Sequence, residues 1–209
     1  MADELTPTST ASMGIADPGP LGLAAFALTT FLLSAKNADW TRGGDAWLGY
    51  ALAYGGIVQL LAGMWEFRRN NIFGATAFST YGGFWIGLFL YIRFAAGASP
   101  NVANDLAWIL LAFAIFNTYM LVCAARVNAA VFGVFLTLEV TEILLFVGNF
   151  SSNENIIKIG GYVGVLTAAV AWYASFAGVY NNFGGLRPLP VGRPMNLMSA
   201  EALPAQSQA

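Results

Sequence analysis

The chain has 209 residues, 57% of them hydrophobic and only 10% charged, with a mean hydropathy of +0.63 and a formal net charge of −2; a soluble domain carries about a quarter charged residues. That composition belongs in a membrane, and without a basic run it leaves no footprint for nucleic acid. Zero histidines and a single cysteine, Cys123, exclude an internal disulfide and remove the usual haem and transition-metal ligands, so neither a metal nor a cofactor is expected.

Residues 1–15, MADELTPTSTASMGI, are polar and acidic, and lack the basic start and short apolar core of a signal peptide. They are expected to form a flexible N-terminal segment. The next stretch, ADPGPLGLAAFALTT, sets an acid, two prolines and two glycines directly before an apolar run. Six apolar blocks follow, each long enough for the roughly 20 helical residues that cross a hydrocarbon core of about 30 Å. Helices are expected at about residues 21–38, 46–67, 75–97, 105–127, 128–150 and 159–182. Their short connections make neighbours antiparallel, so residues 16–185 read as one all-α membrane domain, a six-transmembrane-helix bundle. The remainder, 186–209, is proline-punctuated and polar, and is expected to be a disordered tail.

An even number of crossings puts both termini on one side. Basic residues are almost evenly divided between the two sides, and the Arg68 and Arg69 pair tips the balance towards cytoplasmic termini. Gly83 with Gly87, Gly160 with Gly164, and Gly56 with Gly63 lie on common helix faces, where small residues let backbones approach closely.

Polar residues inside the expected spans are the candidates for chemistry. Thr29 and Thr30, Gln59, Ser79 and Thr80, Asn117, Thr137 and Thr141 are all so placed; any one of them also serves in interhelical hydrogen bonding. Glu139 and Glu142, in FLTLEVTEILLF, are the costliest residues of the chain. Three residues apart, they share a helix face and repel each other when both are ionised. That arrangement suits proton coupling or a pH gate, and equally a hydrogen-bonded pair that stabilises a helix contact. No acid–base, nucleophile or phosphate-loop constellation is present, so no enzyme is expected.

Against these residues, DPGPLGLAAF closely resembles the N-P-A-P-L-G-L-x-x-F signature of the acetate uptake transporter family, which includes the bacterial succinate-acetate permease and fungal ammonia/acetate transport proteins. The block YGGIVQLLAGMWEFRRNNIFGATAFSTYGGFW, residues 54–85, is similar to that family's most characteristic segment. The resemblance covers about residues 16–190. It implies a six-helix protomer with its own pore, assembled as a homo-hexamer in the lipid bilayer of the cell membrane. It also implies movement of acetate, related small carboxylates or succinate, with or without a proton. The family's pore constriction falls on Phe26, Tyr81 and Leu138.

By helical spacing, Thr29 and Thr30 share the Phe26 face, while Thr141 and Glu142 share the Leu138 face, which makes Glu142 the better proton-coupling candidate ahead of Glu139. The helix start at Pro20, Leu21 and Gly22, with Thr80 and Gln59, completes the expected substrate path, because free N–H groups at a helix start favour anions. Asp17, Arg68, Arg69 and Arg126 are expected to line the vestibule. Two departures weigh against a plain anion channel: Asp17 stands where the family has Asn, and Glu139 and Glu142 add acids along the path. The alternatives are a channel for ammonium or a small neutral solute, and a scaffold or sensor of the same fold that transports nothing.

Overall fold

The computed structural model describes residues 14–43, 45–183 and 187–195. Six membrane-length helices run through them: α1 Gly19–Asn37, α2 Ala46–Arg68, α3 Ile72–Ala98, α4 Val102–Ala124, α5 Ala129–Phe150 and α6 Glu154–Asn181. The expected six-helix bundle is present, with boundaries displaced by up to five residues, the last helix starting at Glu154 rather than 159, and no strand occurs among the described residues.

Local chemistry sets the helix ends. Asn71, Asn101, Asn128 and Asn153 each accept a backbone N–H of the first turn of α3, α4, α5 and α6, the usual work of an N-cap side chain. Before α1, Asp17 Oδ1 accepts the Gly19 N–H at 3.0 Å. The tight corners after α1, α2 and α5 put Asp39, Asn70 and Ser152 at positive φ.

Each helix packs on its sequence neighbours, and α6 returns to pack extensively on α1, so the six close into a ring. Contact between α3 and α4 is the sparsest around it. Glycine permits the closest approaches. A Cβ on Gly55 would lie 2.6 Å from Thr29 Oγ1, and one on Gly82 would lie 2.8 Å from the Leu60 nitrogen. Gly55 sits inside a π-helical stretch of α2, Ala51–Val58, a local widening of the helix that often marks a functional region. Gly56, Gly63, Gly160 and Gly164 also face neighbouring helices, whereas Gly83 and Gly87 open onto empty space outside the protomer.

The inner face is aromatic and small. Phe26, Tyr81, Phe116, Phe135 and Leu138 form one buried cluster with alanines of α1, α3, α4 and α6. The outer face carries Trp108, Ile115, Tyr119 and Val122 of α4, more than half exposed each, as expected of a surface that meets lipid or another subunit.

Part of the expected disordered tail is held in place. Residues 187–195 run without helix or strand, with Ala130 N–H bonded to Val191 O at 2.9 Å and Met195 N–H to Ala125 O at 2.7 Å. Tyr173 Oη donates to Pro190 O, and Asn181 exchanges two hydrogen bonds with Leu189. A segment too apolar-poor to build a core is ordered here through backbone polar groups, which composition does not register. Leu186 and residues 196–209, the rest of that segment, and residues 1–13 of the expected flexible N-terminus lie outside the described residues.

Candidate functional site

Three helices deliver matched steps to the ring axis. Along α1 come Pro20 and Leu23, then Phe26, then Thr30 and Leu33. Along α3 come Phe73 and Ala77, then Tyr81, then Phe84 and Trp85. Along α5 come Val131 and Phe135, then Leu138, then Thr141, Glu142 and Leu145. The first set lines a cavity of about 280 Å³ at the end that holds the described chain termini. The last set lines a small cavity of about 40 Å³, which shares Leu33, Asn37, Phe84, Leu110 and Leu145 with a third cavity of about 260 Å³ at the opposite end. Between the first and second lie Phe26, Tyr81 and Leu138, exposed by only 5%, 3% and 6%.

Phe26 and Tyr81 meet edge to face with ring centroids 5.8 Å apart, and Tyr81 also touches Phe84, Phe113 and Phe116. The result is a rigid aromatic waist, since such pairs add to their burial a directional attraction. Two wide vestibules are thus separated by roughly one helical turn of closely packed apolar side chains.

The Tyr81 hydroxyl lies 3.0 Å from Asn117 Oδ1 and 3.3 Å from Glu142 Oε1. Asn117 uses both amide hydrogens, one on Phe135 O at 2.9 Å and one on Glu139 Oε2 at 2.6 Å. Thr118 Oγ1 reaches Glu139 Oε1 at 2.8 Å. The two glutamates are therefore joined by a continuous side-chain chain through Tyr81 and Asn117. They do not face alike: Glu142 is buried on the axis, while Glu139 points to the flank beside exposed Thr118.

The other expected path residues separate into groups. Thr30 and Thr141 line the small cavity, and Thr141 also meets Thr167 at 3.1 Å. Pro20 borders the wide vestibule at the terminal end. Thr29, by contrast, bonds back to Ala25 O and packs against Gly55, which makes it part of the α1–α2 contact. Gly22 is pressed against Phe78, Gln59 is fully buried in α2, and Leu21 is exposed on an outer groove. Thr80 is half-buried and borders none of these three cavities.

At the terminal vestibule, the helix start expected to attract an anion has one of its first N–H groups, that of Gly19, taken by the chain's own acid. Asp17 caps Gly19 N–H and pairs with Arg69, while Arg68 and Arg126 are exposed. Glu66, which sequence reasoning did not single out, is 1% exposed and accepts Asn71 Nδ2 at 2.9 Å beside Gly19 and Gly74. Its signal was present: an acid within the last turn of an apolar helix. Trp85 and Ser34 were likewise absent from the expected candidates, because an apolar or small residue type does not announce which face it occupies, whereas Asn117 stood among the polar candidates without an assigned place.

Comparison with known proteins agrees with this architecture. Residues 2–191 match the GPR1/FUN34/yaaH family. Acetate permease A of Emericella nidulans is 41% identical over 197 residues, covering 84% of this chain and 65% of the relative. Ammonia transport outward protein 2 of Saccharomyces cerevisiae is 38% identical over 78% of this chain and 61% of its own length. The chain thus spans just under two thirds of these fungal relatives. The succinate-acetate/proton symporter SatP of Escherichia coli is 34% identical, with 85% of this chain and 96% of the relative aligned. A solved structure of the bacterial acetate channel SatP superposes with a TM-score of 0.80 at 33% identity, over 86% of this chain and all of that one. With nearly the whole chain matched in sequence and its six-helix ring matched in space, this multi-pass membrane protein belongs to the GPR1/FUN34/yaaH family.

Proposed function

We propose that this chain carries acetate and related small carboxylates, succinate among them, across the cell membrane through its own axial pore, with Phe26, Tyr81 and Leu138 as the constriction. The observation that supports this most directly is the pair of wide vestibules separated by that waist, with Glu142 immediately behind it. An apolar ring imposes a desolvation penalty on hydrated ions, whereas a two-carbon acid presents a methyl group to it and passes with less loss. The names of the acetate permease and of the succinate-acetate/proton symporter among its relatives support the same substrate class.

Glu142, with Glu139 behind it through Tyr81 and Asn117, is the proton-coupling group in this reading. Thr30 and Thr141 line the path beyond the waist. The reading extends to a homo-hexamer with cytoplasmic termini. Gly83 and Gly87, open on the outside of the protomer, supply a surface on which another subunit could approach closely.

Glu142 on the axis and the relative named for ammonia transport favour ammonium as a second reading. Uptake of labelled acetate and of labelled ammonium into proteoliposomes, with and without an inward proton gradient, tests both. Acetate uptake well above protein-free vesicles is expected, faster and less selective for chain length in Leu138→Ala, and independent of the gradient in Glu142→Gln. Acetate uptake no greater than in empty vesicles refutes the carboxylate reading. Ammonium uptake alone would replace it with the second, and movement of neither would leave a scaffold.

A further inference from the structure

Residues 187–195 form a strap across the terminal ends of three helices. Asn181 of α6 exchanges two hydrogen bonds with Leu189, and Tyr173 of α6 donates to Pro190 O. The Ala130 N–H of α5 donates to Val191 O, and the Met195 N–H reaches Ala125 O at the end of α4. Between its attachments to α6 and α5, Val191 stands in the wall of the 280 Å³ vestibule, beside Gly178 and Asn181 of α6 and Ala130 and Val131 of α5. The strap therefore encloses part of the cavity that leads to the waist.

Its hold is polar and shallow. Leu189, Val191 and Met195 are half-buried, and the other residues of the strap are exposed. The bonds to Tyr173 and Asn181 are solvent-exposed, so water can replace them. Arg187 and Arg193 pair with no acid among the described residues, so no ion pair anchors the strap. A net hydrogen bond is worth about what fixing the backbone of one residue costs, and here five bonds hold nine residues. Pro188, Pro190 and Pro194 lower that cost by restricting the released chain, which brings the seated and released forms close in free energy. One contact is exacting: Gly192 sits at φ +75°, and a Cβ there would lie 2.5 Å from Ala129 Cβ, so glycine alone lets the strap lie on the start of α5.

We propose that residues 187–195 are a detachable wall of the terminal vestibule, which restricts access to the cavity when seated and opens it between α5 and α6 when released. The strap sets how readily a solute reaches the waist, and Phe26, Tyr81 and Leu138 set how fast it passes. Only the effect on flux rests on the pore reading given above; detachment rests on the strap's own contacts. A strap that merely braced α4, α5 and α6 gives the opposite outcome on loosening, weaker helices with no gain in access.

Hydrogen exchange of the full chain in lipid nanodiscs reads detachment without any solute. The amides of Leu189, Met195 and Ala130 owe their protection to the strap, so they are expected to share one opening equilibrium and to exchange well ahead of the middle of α5 and α6. Tyr173→Phe and Asn181→Ala raise that exchange by up to roughly tenfold per hydrogen bond lost, and Gly192→Val, which strain and clash unseat, raises it further. Tyr162→Phe, an exposed tyrosine near the other end of α6, changes nothing. In a Cys123→Ser chain, Val131→Cys places a thiol in the vestibule; its reaction with a membrane-impermeant thiol reagent is expected to quicken in step with strap exchange. In proteoliposomes the same strap variants raise flux at low acetate and leave the saturating flux unchanged. Should Gly192→Val not assemble, Tyr173→Phe and Asn181→Ala decide alone. The proposal is overturned if the strap amides exchange only together with the helices, or if variants that free them leave thiol reactivity within about twofold of the parent. A fall in low-acetate flux together with Tm overturns it as well, and marks a brace. Absence of acetate flux in wild-type protein refutes the carboxylate reading, while exchange and thiol reactivity still decide the strap.

Discussion

Tyr81→Phe removes one oxygen from the centre of the waist and leaves its ring in place against Phe26, Phe113 and Phe116. Both remaining oxygens lose by it. Asn117 Oδ1 has the Tyr81 hydroxyl as its hydrogen-bond donor, and Glu142 Oε1 has the same hydroxyl as its partner. Asn117 cannot compensate, because its two amide hydrogens are held by Phe135 O and Glu139. Two buried polar groups left unpaired at about 1–3 kcal/mol each give roughly 2–6 kcal/mol of destabilisation. For a chain of this size that lowers Tm by on the order of 5–20 °C. Thermal unfolding in detergent, followed by size-exclusion fluorescence, measures it. The cost is expected to shrink by about half when Glu142→Leu is already present, since one of the two orphaned groups is then gone, and a double-mutant cycle isolates that coupling. A Tyr81→Phe protein that melts within about 1 °C of wild type would refute the hydrogen-bond accounting given for Tyr81, Asn117 and Glu142.

Two other perturbations separate packing from electrostatics. Gly55→Val places a Cβ 2.6 Å from Thr29 Oγ1 and is expected to cost at least about 1–3 kcal/mol by overpacking, whereas Gly83→Val, with open space around it, leaves protomer melting unchanged; equal melting shifts would contradict the assigned faces. Asp17→Asn keeps the cap on Gly19 but frees Arg69, a part-exposed pair worth little to stability. It raises acetate entry from the terminal side at low ionic strength, and added salt abolishes the difference; a salt-independent flux would argue against a charged entry.

Hydrophobic length made the six crossings legible, because a helix in lipid must satisfy every backbone group within its own segment. The caps at Asn71, Asn128 and Asn153 start their helices at Ile72, Ala129 and Glu154, where hydrophobic length alone pointed to about 75, 128 and 159. Side-chain facing was legible only where spacing is unambiguous. Thr141 and Glu142 do lie beyond Leu138 on the axis, and Thr30 beyond Phe26. Thr29, one residue earlier, turns about 100° away into the α1–α2 contact. Glu139 and Glu142, about 60° apart by helical geometry, part company because α4 brings Asn117 and Thr118 against one and α3 brings Tyr81 against the other.

Composition and order along the chain were enough to determine a six-helix membrane protein, its costly glutamates and the resemblance carried by DPGPLGLAAF. They could not determine that Asp17 caps the helix start at Gly19 with Glu66 buried beside it, or that residues 187–195 lie along α5 and α6. Nor could they reveal that Trp85, Thr30 and Glu142 leave three polar atoms unpaired around one cavity. Those features depend on groups dozens of residues apart meeting across the ring, and only tertiary packing decides which atoms find partners and which do not.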